Sequence, residues 1–165
     1  ALSCARLESD STDYVIHSLP LEQIVKPAVR KYAPMFISKK LSLEMGSLTA
    51  TVLTDEKWAQ FIVEQILSNS LKYTRTGSIR IWQKDPATLV IEDTGIGIDP
   101  ADIPRLGERG FTGYNGRLDK KSTGIGLYLC REISRRLSHT LTIESEPGKG
   151  TRVTIDFATR QVQAE

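Results

Sequence analysis

Four short stretches carry residue types at spacings that could do chemistry together. In Ile91-Glu92-Asp93-Thr94-Gly95-Ile96-Gly97-Ile98 an apolar strand ends on a carboxylate and turns through two glycines. Glycine accepts φ > 0 and lets the backbone approach a ligand with no Cβ in between. Asp93 is therefore either a cleft-edge acceptor or the Asp of an Asx turn. In Asn69-Ser70-Leu71-Lys72-Tyr73, an amide, a cation and an aromatic ring share the end of one helical pattern. Asn69 is either an internal amide tied to neighbouring backbone or an oxygen donor to Mg²⁺, with Lys72 as counter-charge for phosphate. Ser122-Thr123-Gly124-Ile125-Gly126-Leu127 opens a helix, where free N–H groups make an anion site or simply a close-packed start. Gly148-Lys149-Gly150-Thr151 is a hairpin turn whose Thr151 begins a strand, and its hydroxyl is a second polar partner for whatever Asp93 meets.

The elements that must position these groups follow from periodicity and punctuation. Residues 55–73 read as the strongest helix, capped by Thr54 or Asp55. On it Gln65, Asn69, Lys72 and Tyr73 fall within an arc of roughly 100°. Residues 78–82 and 88–93 form a hairpin around Lys84-Asp85-Pro86, and residues 140–145 and 151–157 are two closing strands. Residues 125–137 form an amphipathic helix with Arg131, Arg135 and Arg136 opposite its apolar stripe. Upstream, residues 14–17 read as a strand and 21–38 as a helix made irregular by Pro27 and Pro34. Residues 41–45 and 51–53 are short strands on either side of a turn at Gly46-Ser47. Residues 99–123 hold four glycines among Arg and Lys and read as a long binding loop or lid. Helices and strands come in blocks, which predicts an α+β two-layer sandwich with helices on one face of a mixed sheet.

The 165 residues suffice for one domain, and a net charge of +2 favours neither nucleic acid nor a membrane surface. No apolar run approaches a membrane span. Cys4 and Cys130 lack metal or redox spacing and suit a reducing compartment. The chain opens on Ala1 rather than Met, which points to a piece of something longer. Residues 1–12 are expected to be the tail of an upstream helix and a linker, and 13–160 the folded domain.

Taken in order, the four stretches resemble the N, G1, G2 and G3 boxes of the ATP-binding domain of sensor histidine kinases. That domain belongs to the superfamily of gyrase, heat-shock chaperone, histidine kinase and mismatch-repair ATPases and has the Bergerat-type fold. The resemblance implies ATP and Mg²⁺ as cofactors. It makes Asn69 the Mg²⁺ ligand, Lys72 a phosphate contact, and Asn69 and Lys72 the catalytic pair. Tyr73, Asp93, Gly95, Gly97, Ile98 and Thr151 would form the adenine site, and Gly124, Ile125, Gly126 and Leu127 the phosphate site. Phe111 resembles the aromatic residue that precedes a mobile ATP lid.

The implied reaction moves the γ-phosphoryl of ATP to a histidine on a dimerisation domain outside this chain, and then to a response regulator receiver domain. The implied parent is a membrane-anchored bacterial homodimer with this soluble domain in the cytoplasm. The N-terminal region is similar to kinases that sense cell-envelope antibiotics. An ATP-hydrolysing machine of the same superfamily and a nucleotide-binding module without chemistry are the competing readings. Two positions and one segment depart from the family pattern. Gln65 stands for a second Asn, Ser122 for a glycine, and Phe111-Thr112-Gly113-Tyr114 differs from the usual aromatic box. His17 is not the phosphoacceptor, because it lies in an expected strand with no acidic residue following.

Overall fold

The computed structural model describes residues 13–84, 87–99, 101 and 125–158, the last stretch by backbone alone for its first four residues. Ten elements follow in order: β1 (Ile16–Pro20), α1 (Leu21–Lys39), β2 (Ser42–Met45), β3 (Thr51–Asp55), α2 (Glu56–Tyr73), β4 (Ser78–Lys84), β5 (Thr88–Asp93), α3 (Ile125–Arg136), β6 (Thr140–Glu146) and β7 (Gly150–Asp156). Five strands make a mixed sheet in the order β2-β4-β5-β7-β6, and β1 and β3 pair separately. Only β2 runs parallel to its neighbour β4; the other pairs of the large sheet are antiparallel. The expected α+β sandwich is the architecture observed.

Alternation decides the two faces of the large sheet. Ile79, Ile81, Leu89, Ile91, Ile143, Val153 and Ile155 are buried in one core with α1, α2 and α3. On the opposite face Glu44, Arg80, Glu92, Arg152 and Glu144 stand directly across from one another on β2, β4, β5, β7 and β6. Arg80 reaches Glu44 at 3.6 Å and Glu92 at 3.4 Å, and Arg152 reaches Glu92 at 2.8 Å. Both guanidinium groups also lie near the Trp82 ring, 4.8 and 5.7 Å from its centroid. Val90, opposite Trp82 on this face, is only 1% exposed.

The strands at 42–45 and 51–55 go to different sheets. The segment between them follows β4 first, with Gly46 N–H donating to the Ile81 carbonyl at 2.8 Å. The Gln83 amide oxygen then takes the N–H groups of Thr49 and Ala50 at 2.9 and 2.8 Å, which ends the run beside β4. One expectation needs correction: helix α1, expected to be irregular at its prolines, is continuous through Pro27 and Pro34. Each interior proline removes a backbone hydrogen bond and costs about 3 kcal/mol. The cost is offset because Leu21, Ile24, Val25, Ala28 and Phe36 form one buried stripe.

Helix α2 starts as its sequence predicts. Asp55 accepts from Trp58 N–H at 3.0 Å as N-cap, and its other oxygen accepts from Val15 N–H at 2.8 Å. Its C-terminal carbonyls are taken from outside the helix, Leu71 by the Lys39 ammonium and Tyr73 by Ile96 N–H. Partial burial of Lys39 lowers its pKa. The end of α2 is thereby pinned against the turn that follows β5.

Candidate functional site: a polar slot between helix α2 and strands β5 and β7

Strand β5 delivers Asp93 to the core side of the sheet, where it is 7% exposed. Burying a carboxylate favours its neutral form and raises the Asp93 pKa. Two backbone donors oppose that. Gly95 N–H and Thr151 N–H donate to Oδ1 at 2.9 and 3.2 Å, and the neighbouring Ser70 hydroxyl pulls the pKa in the same direction. The Thr151 contact exists because Asp93 and Thr151 are direct partners across β5 and β7.

Around Asp93 lies a narrow slot enclosing about 40 Å³. Its polar groups are Asn69, Ser70, Asp93 and Thr151, and its apolar walls are Ile66, Tyr73, Ile98, Ile143 and Val153. Apolar walls with a few convergent polar groups are the usual construction of a small-molecule site.

The loop after Asp93 is stitched to the rest of the site. Ile98 N–H donates to Ser145 Oγ at 2.7 Å, and Gly148 N–H to the Ile96 carbonyl at 2.8 Å. Ser145 Oγ donates its single hydrogen to the Gly150 carbonyl at 2.8 Å, so the 2.8 Å contact with Thr151 Oγ1 must use the Thr151 hydrogen. Thr151 then offers the slot lone pairs only. Glycine is required at two places here. Gly97 has φ +78°, and a Cβ there would run into the Glu146 carbonyl, with its carbon at 2.7 Å. Gly150 has φ +131° and presses equally closely on the Asp93 carbonyl.

Of the residues predicted from sequence, Asn69, Tyr73, Asp93, Gly97, Ile98 and Thr151 share this slot. Gly95 stands directly behind it through its bond to Asp93. Lys72, half-buried in the last turn of α2, and Gln65 do not line the slot. Ile125, Gly126 and Leu127 fall in the first turn of α3, as expected for a helix N-terminus. Gly124, Ser122, Phe111 and the expected lid lie outside the described residues. His17 is in β1, as its rejection as phosphoacceptor required.

Ser70 and Ser145 were not read as site residues. Both carried a signal: Ser70 falls four residues after Ile66 on the buried stripe of α2, and Ser145 continues the inward alternation of Leu141 and Ile143. A polar side chain on a buried stripe must have a partner.

Among the described residues no group of three or more His, Cys, Asp or Glu side chains could hold a metal ion. The Asn69 amide fits the other mode, in which Mg²⁺ takes one or two protein oxygens and otherwise binds substrate phosphates and water.

The comparisons agree with this geometry. Residues 54–161 match the family described as histidine kinase-, DNA gyrase B- and HSP90-like ATPase, and the chain belongs to that family. Among individual proteins, it is 34% identical to sensor histidine kinase YxdK of Bacillus subtilis over 165 residues, covering 96% of this chain and 51% of YxdK. It is 36% identical to sensor histidine kinase GraS of Staphylococcus haemolyticus over 160 residues, covering 94% of this chain and 46% of GraS. The chain thus spans about half the length of the curated relatives it matches.

In fold it resembles full-length ShkA, solved in complex with AMPPNP, with TM-score 0.76 and 19% identity over 94% of this chain and 34% of that one. The nucleotide-free catalytic domain of histidine kinase ThkA gives TM-score 0.73 and 16% identity over 88% and 98% of the two chains. At these identities the likeness is one of fold.

Proposed function

We propose that this chain is the ATP-binding catalytic domain of a sensor histidine kinase. The observation that carries the reading is Asp93, a buried carboxylate whose intramolecular partners are all donors and which faces a slot sized for a flat ligand edge. When ionised, Asp93 is acceptor-only and suits the exocyclic amine of adenine, whereas guanine presents a carbonyl at that position. Tyr73 and Ile98 supply apolar walls for the ring. Asn69 stands on the α2 side of the slot as the oxygen donor for Mg²⁺, which neutralises developing charge on the phosphates when bound. Lys72, one turn further along and outside the base slot, would meet the phosphates.

The phosphoryl group passes to a histidine on a dimerisation domain that lies outside this chain, and then to a receiver domain of a response regulator. The parent is a membrane-anchored bacterial kinase with this domain on the cytoplasmic side. Relatives named as sensor kinases support that placement. None of the described helices is long and apolar enough to cross a membrane.

The reading as an ATP-hydrolysing machine is less well supported. It needs a general base about one helical turn before Asn69, within hydrogen-bond reach of the attacking water. Gln65 has no basic group, and Glu64 is tied to Lys31 of α1 at 2.9 Å.

Titrating a fluorescent ATP analogue into wild type and Asp93→Asn tests the base assignment. The amide oxygen can still accept from Gly95 and Thr151, so the fold survives. The added donor then opposes the adenine amine, and affinity falls by roughly tenfold to a hundredfold, the range for a hydrogen bond to a charged group. Equal affinity in the two proteins would remove the adenine assignment.

A further inference from the structure

Helix α2 ends at Tyr73, so the carbonyls of its last turn have no helical N–H groups to accept from. Two of them are met from other elements. Ile96 N–H donates to the Tyr73 carbonyl at 3.1 Å, and the Lys39 ammonium donates to the Leu71 carbonyl. Lys72, the expected phosphate contact, lies between these two pinned carbonyls. Its backbone is therefore held on both sides.

Lys39 is itself fixed. It is the last residue of α1, and the chain turns immediately after it with Lys40 at φ +57°. Lys40 N–H donates to the Ile37 carbonyl at 3.1 Å and Leu41 N–H to the Phe36 carbonyl at 3.0 Å, with the Phe36 and Leu41 side chains buried in the core. From that base the half-buried Lys39 stem crosses to α2 and sets a cation at its negative end, where a helix favours one. None of the residues lining the slot comes from α1. Lys39 bears on the site through α2.

We infer that Lys39 is a positioning residue for the phosphate end of the nucleotide: by holding the Leu71 carbonyl it fixes the turn that aims Lys72. This inference rests on the reading of Lys72 as a phosphate contact. It divides the end of α2 between two supports. Ile96, in the loop after Asp93, holds Tyr73 beside the base, and Lys39, from α1, holds the turn that serves the phosphates.

The test is a double-mutant cycle in the 165-residue chain, with affinities for Mg·ATP and for adenosine measured in wild type, Lys39→Met, Lys72→Met and the double variant. Met keeps the apolar stem and removes the donor. Lys39→Met should weaken ATP about tenfold and adenosine less than about twofold. Added to Lys72→Met, it should weaken ATP by less than about a further twofold, because the side chain it positions is gone. Lys39→Arg, which restores a cationic donor, should bind ATP within about threefold of wild type. Unchanged ATP affinity in Lys39→Met would overturn the inference, as would an Arg variant as weak as the Met variant. Equal loss for both ligands would make Lys39 a support of the fold, and full additivity in the double variant would make it an independent charge; either result overturns the inference. A Lys72→Met variant that binds ATP as tightly as wild type would defeat the phosphate reading of Lys72 and this inference together, and would leave the adenine assignment to the Asp93→Asn titration.

Discussion

Acidification should destabilise this domain through one side chain, His139. It is 5% exposed, its Nε2 lies 2.8 Å from Thr54 Oγ1, and its ring meets Phe157 edge-on at 4.8 Å. Its Nδ1 is buried without a hydrogen-bond partner. Burial lowers its pKa to about 4, against a partial opposing pull from Asp156. A pKa depressed on folding means that the unfolded chain binds the proton more readily. Stability from this group is therefore complete above the unfolded value near 6.5 and is lost as pH falls from there towards 4. With those two values the loss between pH 7.5 and pH 5.0 is about 2 kcal/mol. That is a substantial share of the ~5–15 kcal/mol that usually holds a domain together.

Urea unfolding of wild type and His139→Phe at both pH values is the assay. Phe keeps the aromatic contact and forfeits the bond to Thr54, so the variant should be weaker at pH 7.5 by about 1 kcal/mol. That deficit should vanish or reverse by pH 5.0, because only the wild type pays for protonation. Carboxylates titrate in both proteins and cancel. Parallel pH dependence in wild type and variant would refute the reasoning.

Three other predictions follow from the site. The wild-type chain should hold ATP with negligible turnover, and Glu64→Ala should leave any residual phosphate release unchanged; robust hydrolysis that this substitution abolishes would reverse the choice between kinase and ATPase. Gly150→Ala forces a side chain into positive φ against the Asp93 carbonyl, and should lower unfolding stability by more than about 1 kcal/mol; an unchanged urea midpoint would contradict the close approach. Asp93→Asn should weaken ATP binding without lowering helix content by circular dichroism, and a loss of helix content would reassign the residue to the fold.

The parts of the site that were legible in the sequence were those in which one short stretch carries its own geometry. Asp93 ends an apolar run before two glycines, and Asp55 precedes a helical period, so strand end and cap could be read locally. Thr151 beside Asp93 was accessible as an expectation because Asp93 ends one hairpin strand and Thr151 begins another. What was not legible depends on pairing between distant segments. Nothing local to residues 41–55 reveals that β2 joins β4 while β3 joins β1, because that choice is made by Ile81 and Gln83, some thirty residues further on. Ser70 was hidden for the same reason: the slot it lines is closed by residues of other elements, and a serine inside a helix is ordinarily silent. The prolines of α1 misled because propensity is a local cost, while the buried stripe that outweighs it is a tertiary gain.

The charged row on the solvent face has a consequence for the slot on the other side of the sheet. A strand that slips by one residue turns its apolar set outwards, so the core alone forbids that error. A slip by two residues keeps every apolar side chain inward, and the core opposes it only weakly. On the outer face the same slip would set Arg152 opposite Val90 or Thr94 and leave Glu92 without it. Each exposed ion pair contributes little to stability, but together they separate the native register from its nearest competitor. The separation matters because Thr151 reaches Asp93 in one register only. The row thus works as an alignment key, cut on the wet face of the sheet, for a hydrogen bond made on the dry one.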